Sequence, residues 1–190
     1  MNTIHVHDLD FELYLTADII QRKIAALALE IEQDYFGKEP LFIGVLNGAF
    51  MLVADLLRHC NLRSEITFVK LNSYAGTEST EDVKTIIGLD QELKDRHVIV
   101  VEDIIDTGRT MHHFLRNVQQ LKPASVKLVS LLAKPEAMKY PVQIDYLGFE
   151  VPNLFVVGYG LDYDGLARNL NDIYQLKTDA SPTPEPVVNE

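Results

Sequence analysis

Short runs of apolar residues alternate with segments of helical spacing along most of the chain. "PLFIGVL", "SEITFVKL", "HVIVVE", "SVKLVSLLA" and "LFVVG" are brief and rich in β-branched residues, the pattern of strands buried on both faces. Between them, residues 16–36 carry Ile20, Ile24, Leu27, Ile31 and Tyr35 on one stripe, with Thr16 as N-cap and Gly37 as stop. "GAFMLVADLLRH" predicts a second helix. Residues 110–121 predict a third, with Met111, Phe114, Leu115, Val118 and Leu121 on one face. This alternation predicts an α/β fold, a mainly parallel, twisted sheet flanked by helices. Two stretches fall outside it. "NSYAGTESTEDVKT" is polar and rich in small residues, as long mobile loops are. Residues 178–190, "TDASPTPEPVVNE", hold three prolines and no aromatic residue, and read as a disordered tail after a single domain over 1–177.

Composition narrows the class. The 190 residues suffice for one domain with a full core, and 47% hydrophobic with 24% charged content is that of a globular protein, not a disordered one. No apolar run approaches the roughly 18 residues of a membrane helix, and the N-terminal residues show no secretory pattern. The only cysteine, Cys60, permits no internal disulfide and suits a reducing cytoplasm. It is placed at a helix end with no histidine-bearing motif around it, so it is expected to be inert. A net charge of -11 argues against broad binding to nucleic acid or anionic lipid. A small anion held by backbone amides, local cations and a metal ion stays compatible with that charge.

The candidate chemistry sits in "HVIVVEDIIDTGRTM". In an open parallel sheet, ligands collect beyond the carboxyl ends of the strands. This strand runs into Glu102 and Asp103, and "DTGRT" then leads into a helix. The Thr107 and Thr110 hydroxyls, the turn at Gly108 and the open amides of a first helical turn form a nest for a phosphate. The same residue types also serve as ordinary caps and turns. Three carboxylates beside a phosphate repel it unless a cation or sugar hydroxyls intervene. Their field favours a reaction that builds positive charge on a sugar carbon. Adjacent acids on an ideal strand point to opposite faces, so Glu102 and Asp103 can share a ligand only if the strand curls.

"VVEDIIDTGRTM" resembles the phosphoribosyl-pyrophosphate signature of the type I phosphoribosyltransferases. "LNGAFM", "SYAGTEST", "LLAKPEA" and "DYLGFEVPNLFVVGYGLDYDGLARNLNDIY" extend the likeness to the hypoxanthine-guanine branch, over about residues 4–177. The resemblance implies that fold, with a small hood from terminal segments, and a magnesium-dependent reaction of phosphoribosyl pyrophosphate with a 6-oxopurine. The products are IMP or GMP and pyrophosphate. Asp106 matches the acid near N7 of the purine. Glu102 and Asp103 match the acids that meet the ribose hydroxyls, directly or through magnesium, and Asp106, Thr107, Gly108, Arg109 and Thr110 the loop holding the 5′-phosphate. Lys134 matches the donor to the 6-oxo group. Phe155 matches the ring stacking on the base, and Val156 the residue whose backbone faces the purine edge. Asp162 matches a magnesium contact beside the purine, and Arg168 a grip on pyrophosphate. Leu46, Asn47 and Gly48 match the pyrophosphate loop, where the family has a non-proline cis peptide. Many members carry lysine where Asn47 stands, so one cation is missing here. Ser73 and Tyr74 match the start of a flexible loop that closes over the site. A homodimer or homotetramer is implied.

Other readings are weaker. "DYDG" resembles an EF-hand fragment, but the twelfth position from Asp162 is Ile173, which cannot close a calcium loop. His112 and His113 lack the spacing of a helical zinc pair, and "GYG" is no dinucleotide fingerprint. A sensor of phosphoribosyl pyrophosphate without catalysis, and a xanthine-preferring transferase, stay open as rivals.

Overall fold

The computed structural model describes residues 3–71, 85–87 and 91–178. Ser73, Tyr74 and the rest of the expected loop up to residue 84 lie outside them, as does the expected tail beyond Thr178. The described elements follow in the order β1 (Thr3–Val6), β2 (Leu9–Leu15), α1 (Ala17–Asp34), β3 (Leu41–Leu46), α2 (Phe50–His59), β4 (Glu65–Leu71) and β5 (Thr85–Ile87). After these come β6 (His97–Ile105), α3 (Arg109–Gln120), β7 (Ser125–Ala133), β8 (Tyr146–Glu150), β9 (Val156–Val157) and β10 (Ile173–Leu176).

The main sheet has the order β5-β4-β3-β6-β7-β8. Its β4, β3, β6, β7 and β8 run parallel, and β5 is an antiparallel edge. The sheet is covered on both faces, as its unbroken apolar strands require. Ile20, Ile24, Leu27 and Ile31 of α1 and Leu52, Val53 and Leu56 of α2 pack on one face, against Phe42, Ile99, Val101 and Val129. Met111, Phe114 and Val118 of α3 pack on the other, against Leu41, Ile43, Val98, Val100 and Leu128. Thr16 stands at the N-cap of α1 but makes no side-chain capping bond.

A second, antiparallel sheet of order β1-β2-β10-β9 joins the first strands of the chain to the last, and forms the expected hood. Here one expectation needs correction. "LFVVG" is not a strand of the parallel sheet: only Val156 and Val157 are extended, and they pair with β10 in the hood. The fifth parallel strand is "YLGFE", β8, which pairs with β7. Its bulky Tyr146 and Phe149 are buried, while Glu150 reaches solvent at its end, so its apolar run is too broken to stand out.

Candidate active site

The carboxyl end of β6 is where the strand stops alternating. Val98 and Val100 face α3, and so does Ile105; Ile99 and Val101 face α1 and α2, and so does Ile104. The phase therefore inverts between Val101 and Ile104. The ladder to β7 passes from Glu102↔Ser130 to Ile104↔Leu132 across this break. That is the curl two adjacent acids need to reach one ligand, and Glu102 and Asp103 do line the same cavity.

Both carboxyls are costly as they stand. Burial, and then the neighbouring Asp103 charge, push Glu102 well above the usual glutamate range. One of its oxygens, Oε2, is buried without a hydrogen-bond partner among the described residues. Burial also raises Asp103, against the opposing pull of Glu102, of the Asp103 and Ile104 backbone and of Arg168. A buried carboxyl pair with an unpartnered oxygen fits a hard cation or a pair of sugar hydroxyls, either of which would supply the missing partner.

The cavity gathers four segments. Asp106, Thr107, Gly108, Arg109 and Thr110 follow the acids of β6; Leu46 ends β3, with Asn47 and Gly48 after it; Leu71 ends β4; Arg168 comes from the loop before β10. Gly108 is the N-cap of α3 with φ +78°, and the first helical bond is that from His112 N–H to the Gly108 carbonyl. The amides ahead of it belong to residues that line the cavity and have no partner within the helix; that of Arg109 donates to Thr107 Oγ1 at a long 3.4 Å. The Thr107 carbonyl accepts from the amides of Lys139 and Tyr140, which pins the loop from behind. The Leu46–Asn47 peptide is cis, as the resemblance implied. Gly48 packs directly under Asp103: any Cβ there would overlap the Asp103 carboxylate. Arg168 is held by Asp162 at 2.6 Å and donates to the Gly160 carbonyl at 2.8 Å.

None of the expected base-binding residues lines this cavity, and Lys134 and Asp162 touch it through Asp106 and Arg168. Lys134, buried at the end of β7, places its Nζ 3.0 Å from Oδ2 of the half-exposed Asp106. The Phe155 ring is exposed, backed by Phe11 at 5.9 Å and Tyr163 at 5.7 Å between ring centres. Val156 is buried and its backbone is engaged by Gln175 of β10. Both Asp162 carboxylate oxygens are occupied, one by Arg168 and one by the Gly165 amide, so its contact with the cavity runs through Arg168.

No group of three or more metal-binding side chains occurs among the described residues, so a metal here would rest on few carboxylates. Nor is any described helix long and apolar enough to cross a membrane. Cys60 closes α2, where burial, and then Glu32, push its thiol up to about 11. Tyr163, whose hydroxyl donates to Asp8 at 2.7 Å behind Phe155, was not singled out from sequence. Its spacing from Phe155 carries no periodic signal.

A model of the phosphoribosyl transferase domain matches residues 12–164. A hypoxanthine-guanine-xanthine phosphoribosyltransferase of Tritrichomonas foetus is 44% identical over 171 residues, covering 90% of this chain and 93% of that protein. The bifunctional protein TilS/HprT of Listeria monocytogenes is 43% identical over 167 residues, 87% of this chain; the chain spans only 26% of that protein's length. The crystal structure of a hypoxanthine-guanine phosphoribosyltransferase of Bacillus anthracis superposes with a TM-score of 0.82 at 39% identity, covering 86% of this chain and 97% of that one. With the sheet, the curled strand and the phosphate cradle in place, the chain belongs to the phosphoribosyl transferase family and has the type I phosphoribosyltransferase fold.

Proposed function

We propose that this protein moves the 5-phosphoribosyl group from phosphoribosyl pyrophosphate to hypoxanthine, and to guanine, yielding IMP or GMP and pyrophosphate in purine salvage. The observation that carries this reading is the convergence of the Asp106–Thr110 cradle, the Glu102–Asp103 pair, the Leu46–Gly48 loop and Arg168 on one cavity, with the Lys134–Asp106 pair at its side. The Bacillus anthracis protein named as a hypoxanthine-guanine phosphoribosyltransferase supports the choice of purine, and the name of the Tritrichomonas foetus relative adds xanthine to the same two bases.

In this reading the cradle amides and threonine hydroxyls hold the 5′-phosphate, and Glu102 and Asp103 hold the ribose hydroxyls. Arg168 and the 46–48 loop hold the pyrophosphate. Purine N9 bonds to the sugar carbon as the bond from that carbon to pyrophosphate breaks, and the negative rim steadies the oxocarbenium-like state between them. The N7 proton passes to Asp106. A 6-oxopurine offers an N–H donor at N7 and an acceptor at O6, which match a carboxylate and an ammonium. Adenine would set an amino donor against Lys134, itself only a donor. Phe155 stacks on the base. Magnesium, held by Glu102 and Asp103 with Asp162 near by, supplies charge neutralisation for the leaving pyrophosphate. Residues 1–177 form one domain in this reading, the protein is cytoplasmic and assembles as a homodimer or homotetramer, and it uses neither nucleic acid nor membrane.

The test is to mix purified protein with hypoxanthine and phosphoribosyl pyrophosphate. IMP should form with magnesium and not after chelation. Binding of phosphoribosyl pyrophosphate without any turnover would instead make the protein a sensor and overturn the proposal.

A further inference from the structure

Residues 158–160, "GYG", take the left-handed backbone region three times in succession, with φ of +99°, +50° and +98°. Glycine enters that region freely; tyrosine does not, and a non-glycine residue there persists only where its surroundings hold it. Tyr159 is held by its side chain. It is 2% exposed, and its hydroxyl donates to Asp55 Oδ2 on α2 at 2.6 Å. Gln21 Nε2 on α1 donates to the same oxygen at 2.5 Å and lies 3.5 Å from the tyrosine hydroxyl. Burial, and then the Asp55 carboxylate, keep that hydroxyl protonated far above the usual phenol range, so it serves as a donor throughout the working range of pH.

The next residue links this anchor to the cavity. Gly160 lies so close to Gly48 that a Cβ on it would overlap the Gly48 carbonyl oxygen, and Gly48 in turn lies under the Asp103 carboxylate. Gly160 also exchanges two hydrogen bonds with Arg168: its amide donates to the Arg168 carbonyl at 2.9 Å, and its carbonyl accepts from the guanidinium at 2.8 Å. One residue thus backs both the 46–48 loop and the arginine at the same end of the site. Since α2 begins at Phe50, Asp55 ties the tyrosine to the very helix that leaves the loop.

Building on the function proposed above, we infer that the Tyr159–Asp55 hydrogen bond is a positioning device for the pyrophosphate end of the site, acting through Gly160 on Gly48 and Arg168. Neither side chain lines the cavity, so both are positioning residues. Tyr159→Phe removes the bond and keeps the ring. It should raise KM for phosphoribosyl pyrophosphate, and the inhibition constant of pyrophosphate, by about three- to tenfold, a fraction of the roughly ten- to hundredfold worth of one hydrogen bond to a charged acceptor, since the bond acts on the site only through Gly160. KM for hypoxanthine should stay within about twofold. Asp55→Leu should do the same, and Asp55→Asn, whose amide oxygen still accepts, should restore most of the loss. Gln21→Leu, which removes only the second donor, should move the same constant in the same direction by a smaller factor, and serves if the other variants fail to fold.

A merely structural bond would lower Tm and leave the kinetic constants alone. That result, or equal shifts in both Michaelis constants, overturns the inference. Pyrophosphate binding to the wild-type protein, measured by calorimetry, separates the two levels. Wild-type protein that neither turns over nor binds pyrophosphate defeats the proposed function and this inference with it; wild-type protein that does both leaves the variants to decide the inference alone.

Discussion

At the sugar-phosphate end, the loops are set by backbone contacts and close packing. Gly48 lies under Asp103, Gly160 backs Gly48, and the 107–110 turn is pinned from behind by the Lys139 and Tyr140 amides. At the base end, Phe155 is 43% exposed and Lys134 spends its charge on Asp106. The first region holds its shape before anything binds, and Glu102 Oε2 is left with a partner to gain. The second must exchange one contact for another, since a purine has to enter between or beside groups that already satisfy each other. Errors of position should therefore be expensive at the first end, while losses at the second should be those of single interactions.

Four variants sharpen that contrast, measured as initial rates with each substrate varied in turn. Asp106→Ala, which joins the two ends, should have the largest effect, lowering kcat by roughly two to four orders of magnitude, the usual scale for a lost acid–base group. An unchanged kcat would remove it from the chemistry. Next is Gly48→Ala. Its new methyl must displace the Asp103 carboxylate or the loop, and kcat/KM for phosphoribosyl pyrophosphate should fall about a hundredfold, with KM for hypoxanthine nearly constant. Lys134→Ala should raise KM for hypoxanthine by roughly ten- to a hundredfold and erode the preference for oxo over amino purines. Smallest is Phe155→Ala, with a two- to tenfold rise in the same constant, about the worth of one aromatic contact. If the base-end variants moved the sugar-phosphate constants as far as their own, the division into two ends would fail.

The parallel sheet was legible because strands buried on two faces have to be continuously apolar; β3, β6 and β7 announce themselves in "LFIGVL", "HVIVV" and "SVKLVSLLA". The breaks occurred where that rule weakens. β8 interrupts its apolar residues, and β9, with two residues, is too short for any period to show. The cavity was legible down to Asp106–Thr110, Leu46–Gly48 and Arg168, since a local motif fixes which residues share a rim. Distances across the fold were not. Nothing in "LNGAF" states that its glycine will lie beneath Asp103, and nothing in "VADLL" that its aspartate will meet Tyr159. Those contacts come from the register of β3 against β6 and from the packing of α2, which are properties of the folded chain.

The hood has a consequence for biosynthesis. Its strand β2 needs β10 as a partner, so the two ends of the described chain must meet before that sheet exists. The parallel sheet is finished at Glu150, a point at which Phe155 and β10 have yet to leave the ribosome. Such long-range pairing forms late in folding. A nascent chain exposed as far as residue 150 should already own its phosphate cradle while still lacking a place for the nucleobase.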